Sequence, residues 1–472
     1  MARLEAPVDL GGETVRNRLY RAPLLECAGN GPDAVDALIE DLEPAADAGA
    51  GLLCQGATIV RGEGGCAAPG MTRVHDPAFV ERLERLTDRI HDHGGKIAIQ
   101  LEHGGLRSME TWHAGYRAEH PELEQLAVSD PPWQLRAVDR LRLVSYDPRV
   151  LDTAEVYGLA ADFGKAAARA VDAGYDAIHL AGANMGIVQQ FLSPFYNRRD
   201  DEFGGSRPED RTRFLELIHD EIRTRAGDVP LLTKVPAETA APRVVRRHLD
   251  LDDGIAIAEH LAEYGFDAVA PVETNVIWDM SIVRGAYPDR AWESGEFADG
   301  YAEAFGSRYR ARAVAALNRL QERRFDFEPA WNERFCRRVR RRVDVPVMLE
   351  GGVRERGQID RLLGEAGEEP AADMVGMARP FYAEPRLPAR LLDADERSSS
   401  SPDSQTHEDA DVNTGTDPRN GVDAETRVAC ESCNNCTVPQ VTGAPGVCRT
   451  PSVLRRRGEL EKQGAYERDA DD

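Results

Sequence analysis

Residues 156–181 read VYGLAADFGKAAARAVDAGYDAIHLA and hold one complete helix-then-strand unit. Val156, Leu159, Phe163 and Val171 recur at helical spacing, which gathers them on one face. Ala177 to Ala181 then forms a short run ending in apolar residues, the pattern of a strand. The unit repeats in both directions. Val80, Leu83, Leu86 and Ile90 make the helix face that precedes a second run at Lys96–Leu101. Working outward gives strands near Leu19–Pro23, Gly51–Gln55, Lys96–Leu101, Ala177–Ala181, Pro230–Val235, Ala268–Val272, Pro346–Glu350 and Asp373–Gly376. Helices that bury one face between successive strands predict a parallel sheet.

Eight such strands match a closed (β/α)8 TIM barrel, an α/β fold, in number and length. A doubly wound sheet would use fewer and announce a nucleotide with GxGxxG, and neither that motif nor GxxxxGK[ST] occurs. Barrel chemistry sits where strands end, so the loops after them carry the candidates. Two are long: Arg107 to Asp152, and Glu273 to Pro329. Connections of that length form lids or substrate walls. The second carries Trp278, Trp292, Tyr301 and Tyr309 in an aromatic-poor chain, and Trp278 with Asp279 follows the strand most closely, as the expected substrate contacts.

The barrel is expected to occupy residues 1–393. Residues 394–426, with Ser398 to Ser401 and a scatter of acidic side chains, read as a solvated tether. A cysteine-rich segment spans 427–450 and a charged tail 451–472. The 472 residues, 42% hydrophobic, suffice for a large core. No apolar run is long enough to span a membrane and the N-terminus lacks a secretory pattern, so the expected compartment is the cytoplasm. A net charge of -24 repels phosphates and anionic lipid, which argues against nucleic-acid and membrane partners. Only Lys96, Lys165, Lys234 and Lys462 are lysines among 58 basic residues, and acid excess with arginine for lysine suggests a proteome adapted to high salt, a halophilic habitat. Cys27, Cys54, Cys66 and Cys336 are scattered, whereas Cys430, Cys433, Cys436 and Cys448 crowd together as a metal site would.

The stretch from Gln190 to Ser206, QFLSPFYNRRDDEFGGS, followed by Asp210 to Phe214, DRTRF, resembles the signature of the old yellow enzyme family of FMN-dependent oxidoreductases. Phe203 and Asp210 depart from it, where the family has Tyr and Asn. Asn17-Arg18, Ala22-Pro23, Ile99 to Gly105, Gly351-Gly352 and Val375 to Pro380 extend the match from the first strand to the last.

The resemblance implies an FMN site built from Pro23, Leu24, Ala57, Gln100, Lys234, Gly351, Gly352, Ala378 and Arg379. Gln100 ends its strand with an amide suited to the flavin's pyrimidine edge. The glycines after the seventh strand, with Arg379 after the eighth, stand where barrels build phosphate sites. Lys234 takes the place of the family's arginine, where a cation stabilises the reduced flavin's negative charge. The turn after the fourth strand departs from the family: Ala181-Gly-Ala-Asn-Met-Gly-Ile187 keeps Asn184 but has Gly186 where a proton-donating tyrosine belongs. His179 points to the same interior as Ala181 and is the candidate replacement, with a hydrogen-bonded core histidine as the other reading. Asn184, His179 and Lys234 are thus the catalytic candidates.

The spacing Cys430-x2-Cys433-x2-Cys436-x11-Cys448 resembles the 4Fe-4S segment of the trimethylamine dehydrogenase and 2,4-dienoyl-CoA reductase branch. Structural zinc is the alternative. That branch continues into two dinucleotide-binding domains that do not follow here. A cluster beside FMN implies electrons entering or leaving singly, hence a small organic substrate and a separate electron-transfer partner. Leu25 stands where amine dehydrogenases attach flavin covalently, so the FMN is expected to be non-covalent. An NAD(P)H-dependent ene or dienoyl reductase with a structural cluster, and a non-catalytic relay or scaffold, remain alternatives. The oligomeric state stays open, a homo-oligomer included.

Overall fold

The computed structural model describes residues 3–140, 145–279, 281–322, 326–392 and 426–467. All but one residue of the stretch expected as a tether, 394–426, lie outside them. Eight strands form the barrel: β1 Leu19–Arg21, β2 Leu52–Ile59, β3 Lys96–Glu102, β4 Ala177–Leu180, β5 Leu231–Ala237, β6 Ala268–Glu273, β7 Met348–Glu350 and β8 Met374–Met377. They pair in parallel in the order β6-β5-β4-β3-β2-β1-β8-β7, and a parallel bridge between Val269 and Val347 closes the circle. Each expected strand is present, shifted by a few residues at its ends. β2 runs furthest beyond its expected end because a register shift between Gln55 and Thr58 lets it continue beside β3.

The helices that separate the strands bury their apolar stripes against the sheet. Thr153–Asp172, labelled α1, is started by Asp152, whose side chain accepts from Glu155 N while the Glu155 side chain returns the bond. Val156, Leu159 and Phe163 are fully buried, and Phe163 meets Phe214 edge-on. At the bottom of the barrel one device recurs. Asp176, Asp267 and Asp373 each precede a strand and accept from an amide at the start of a neighbouring strand, Ile97, Leu231 and Val347, at 2.8, 2.8 and 3.0 Å. Lys96, Arg223 and Arg340 pair with the same carboxylates. A hairpin, Val8–Leu10 with Glu13–Val15, plugs this end with Val8, Leu10 and Val15. The lower end is therefore sealed, and the open end lies at the strand C-termini.

The signature stretch has an architectural role. Gln190 donates to the carbonyls of Met185 and Gly104 at 2.7 and 3.0 Å and accepts from Leu106 N, tying the β3 and β4 loops together. Asn197 spans the carbonyls of Phe191 and Phe203, and Arg199 those of Val128 and Leu151. These side chains supply hydrogen bonds that buried loop backbone would otherwise lack.

Neither long connection is structureless. Residues 107–152 contain Met109–Trp112, Ala114–Glu119 and Trp133–Arg140 as helices. After β6 come helices Asp289–Glu293, Ala298–Phe305 and Arg308–Glu322. The second set turns its aromatic residues away from the barrel: Phe297 and Tyr301 cluster with Trp292, Phe305, Val438, Val441 and Ala444, so they hold the cysteine segment. Tyr309 is 83% exposed. The C-terminal residues also dock, for helix Pro451–Lys462 buries Val453, and Tyr466 donates to buried Glu384 at 2.8 Å. No described helix is long and apolar enough to cross a membrane.

Candidate functional site

A cleft of about 200 Å3 opens at the C-terminal ends of the strands. Pro23 and Leu24 from the β1 loop, Asn184 from the β4 turn and Lys234 from β5 line it, with Gly351, Gly352, Ala378 and Arg379 from the loops after β7 and β8. Eight residues expected at the cofactor or the chemistry thus share one cavity. Asn184 and Met185 both have φ of 64°, a turn that aims the Asn184 side chain at the cleft mouth.

Other expected residues stand behind the cleft. Gln100 Nε2 lies 3.1 Å from His179 Nδ1, and both side chains are buried in the barrel. Burial, reinforced by the positive charge of Lys234, pushes His179 down to about 3, so near neutral pH the ring is uncharged and accepts from Gln100. Ala57 packs beside Leu25 in a cluster with Cys66 and Met109. Trp278 donates from Nε1 to Thr239 Oγ1 at 3.2 Å and meets Phe195 edge-on at 5.6 Å. Asp279 accepts from the Thr239 hydroxyl and from Ser281 N. It shapes the turn whose next residues, Ser281, Ile282 and Val283, reach the cleft. Trp278 and Asp279 themselves are not part of the cleft lining.

Several lining residues escaped sequence reasoning. Thr274, 2% exposed, leaves Oγ1 without a hydrogen-bond partner among the described residues. Trp331 and Asn332 come from the segment before β7, and Glu350 from its last position. Glu350 had a visible signal, a carboxylate ending an apolar strand one residue before the glycines. Thr437 and Gln440 come from the cysteine segment, and Gln440 donates to the Leu25 carbonyl. Nothing in the sequence announces that the segment folds over the barrel mouth.

The residues fit FMN. Gly351 and Gly352 have φ of 104° and 73°, and a Cβ would overlap the Trp331 ring at the first and the Glu328 carbonyl at the second. Bare backbone there, with the Arg379 cation beside it, suits a phosphate, while buried Lys234 and the orphaned Thr274 hydroxyl suit a polar ring.

All four clustered cysteines line a second, small cavity with Ala383 and Val453. Burial pushes the Cys436 thiol up to about 12, with Arg379 opposing. Cys433 Sγ lies 2.8 Å from Thr450 Oγ1 and accepts from Asn435 Nδ2 at 3.4 Å. Among the described residues, no three His, Cys, Asp or Glu side chains stand close enough to hold a single metal ion. Thiolates around a shared cavity fit a multi-iron cluster, in which each ligand binds its own iron. Arg379 lines both cavities; it donates to Asn434 Oδ1 and, at 2.8 Å, to the Arg284 carbonyl.

Comparison with known proteins agrees with this architecture. Residues 3–288 match the model of the NADH:flavin oxidoreductase / NADH oxidase family. A protein of Klebsiella pneumoniae (strain 342) named NADH:fumarate oxidoreductase is 30% identical over 56% of this chain and 27% of its own length. An NADPH dehydrogenase of Geobacillus sp. (strain WCH70) is 29% identical over 56% of this chain and 71% of its own. The chain therefore spans about a quarter of the first relative. Among solved structures, histamine dehydrogenase from Rhizobium sp. 4-9 covers 96% of this chain with 53% of its own, at a TM-score of 0.66 and 21% identity. Morphinone reductase covers 83% of this chain with 89% of its own, at a TM-score of 0.57 and 22% identity. With a barrel whose open end gathers the glycines and cations expected of a flavin site, and a family match over most of that barrel, this chain belongs to the NADH:flavin oxidoreductase / NADH oxidase family of FMN-dependent oxidoreductases.

Proposed function

We propose that the protein is an FMN- and 4Fe-4S-dependent oxidoreductase that passes electrons between a small organic substrate and a separate electron-transfer partner. The observation that carries this reading is the adjacency of two cavities through one side chain, Arg379. When bound, FMN supplies hydride transfer and the cluster supplies single-electron steps. Gly351, Gly352 and Arg379 would hold the phosphate. Lys234 would stabilise negative charge on the reduced ring. Uncharged His179 keeps Gln100 oriented, a positioning role, and Asn184 presents its amide at the substrate side. Thr437 and Gln440 exclude water from the mouth. A cytoplasmic location goes with this reading.

A second reading, an NAD(P)H-dependent ene or dienoyl reductase with a structural cluster, draws support from the NADPH dehydrogenase relative. Anaerobic purification followed by FMN, iron and labile-sulfide analysis tests the cofactors. Stoichiometric zinc without sulfide would overturn the cluster. Mixing the holoprotein with NADPH or NADH, then with amines, enones and dienoyl thioesters, separates the readings. Direct bleaching by a nicotinamide favours the reductase. Reduction by a substrate, with electrons passed on only to a one-electron acceptor, favours the proposal.

A further inference from the structure

Lys234 and Glu350 stand on β5 and β7, with β6 between them, yet Lys234 Nζ donates to Glu350 Oε2 at 2.7 Å. The register explains how. Lys234 is level with Ala270 on β6, a small residue. Glu350 is level with Gly376 on β8, which in turn is level with Tyr20 on β1. A Cβ on Gly376 would overlap the Tyr20 ring. The glycine thus opens the path by which Tyr20 reaches across to donate from its hydroxyl to Glu350 Oε1 at 3.0 Å. Tyr20 is held neutral, because burial foremost and then Glu350 push its pKa well above the usual tyrosine range. One layer of the barrel is therefore built around a single carboxylate, with each oxygen occupied, at the floor of the cleft.

We propose that Glu350 is a positioning residue: by holding the Lys234 ammonium it offsets that cation and keeps the reduction potential of the bound flavin low. This inference rests on the FMN reading above and adds a direction to it. A flavin that is harder to reduce yields its electrons more readily to the neighbouring cysteine-bound centre. The buried pair leaves little net charge facing the ring, so a family position that normally raises the potential is muted by a carboxylate 116 residues away in sequence.

The test is the midpoint potential of FMN in the holoprotein and in three variants. Glu350→Gln frees the ammonium and should move the two-electron reduction equilibrium at least tenfold toward the reduced form, about 30 mV upward. Glu350→Asp keeps the charge but shortens the reach, so it should shift the potential in the same direction, and it serves where the glutamine variant does not fold. In a Lys234→Met background the Gln change should have little effect. With no ammonium there for Glu350 to hold, replacing its carboxylate releases no cation toward the ring. An unchanged potential in both Glu350 variants overturns the inference. An equal shift in the Lys234→Met background also overturns it, since Glu350 would then act on the ring directly. Wild-type protein that takes up no flavin overturns the functional reading itself, a result distinct from flavin bound at an unmoved potential.

Discussion

Replacing Glu384 should detach the C-terminal segment. Its carboxylate is fully buried and pairs with Arg390, itself 3% exposed. It also accepts from Ala429 N, immediately before the first clustered cysteine, and from Tyr466 Oη at 2.8 Å. One side chain thus joins the last barrel helices to both ends of the segment. Removing one member of such a buried pair costs about 3–5 kcal/mol. The apolar side of the docking at this end is Val428, Val453 and Tyr466, each worth at most roughly 1.5–3 kcal/mol, and Val438, Val441 and Ala444 dock separately against Phe297 and Tyr301. Glu384→Ala therefore lowers the docking constant by at least about a hundredfold. A protease site inserted between residues 400 and 415 allows the segment to be cut free covalently. Gel filtration of the cleaved protein should then retain residues 426–472 on the wild-type barrel and release them from Glu384→Ala. Undiminished retention in Glu384→Ala would refute the assignment of docking to this carboxylate.

Three further outcomes are expected. Burial pushes the Glu238 carboxyl up to about 7 from an unfolded value of 4.5, so its stabilising contribution is complete below pH 4.5 and lost as pH rises through 7. Urea midpoints should fall across that window in wild type, by about 3 kcal/mol from this group, and flatten in Glu238→Gln. Gly352→Ala places a methyl group against the Glu328 carbonyl at φ 73°, so equilibrium dialysis should show FMN affinity reduced at least tenfold while circular dichroism stays unchanged. Cys433→Ser should lose iron and labile sulfide but keep flavin, read as loss of the broad iron–thiolate absorbance above the flavin bands.

The barrel was legible because each strand is buried on both faces, which leaves short apolar runs that periodicity can find. β2 shows the limit. Gln55 and Thr58 interrupt its apolar pattern, and they are tolerated only because Thr72 and Tyr175 satisfy them from elsewhere in the chain. The cleft was legible in part. Lys234 could be placed because it lies near the end of an expected strand and Gly352 because it follows one, whereas Trp331, Thr437 and Gln440 arrive from segments whose approach depends on tertiary packing. The signature from Gln190 to Ser206 identified the family without revealing what its own residues do, for its polar side chains bind loop carbonyls and none of them lines the cleft.

The excursion after β6 shows why aromatic content misleads about direction. Trp292 and Tyr301 have the composition of a pocket wall, but they meet each other as tilted rings 4.7 Å apart and pack with Val438 and Val441. Ala291 N donates to Asn435 Oδ1, and Asn434 donates to the carbonyls of Val283 and Ala286 at 3.0 and 3.2 Å. The excursion and the cysteine segment are consequently one structural unit, although more than a hundred residues separate them in sequence. Its cysteine loop faces the second cavity and its Val283, Thr437 and Gln440 face the cleft. The cysteine loop is thereby tied to the cleft wall through two side chains, Asn434 and Arg379.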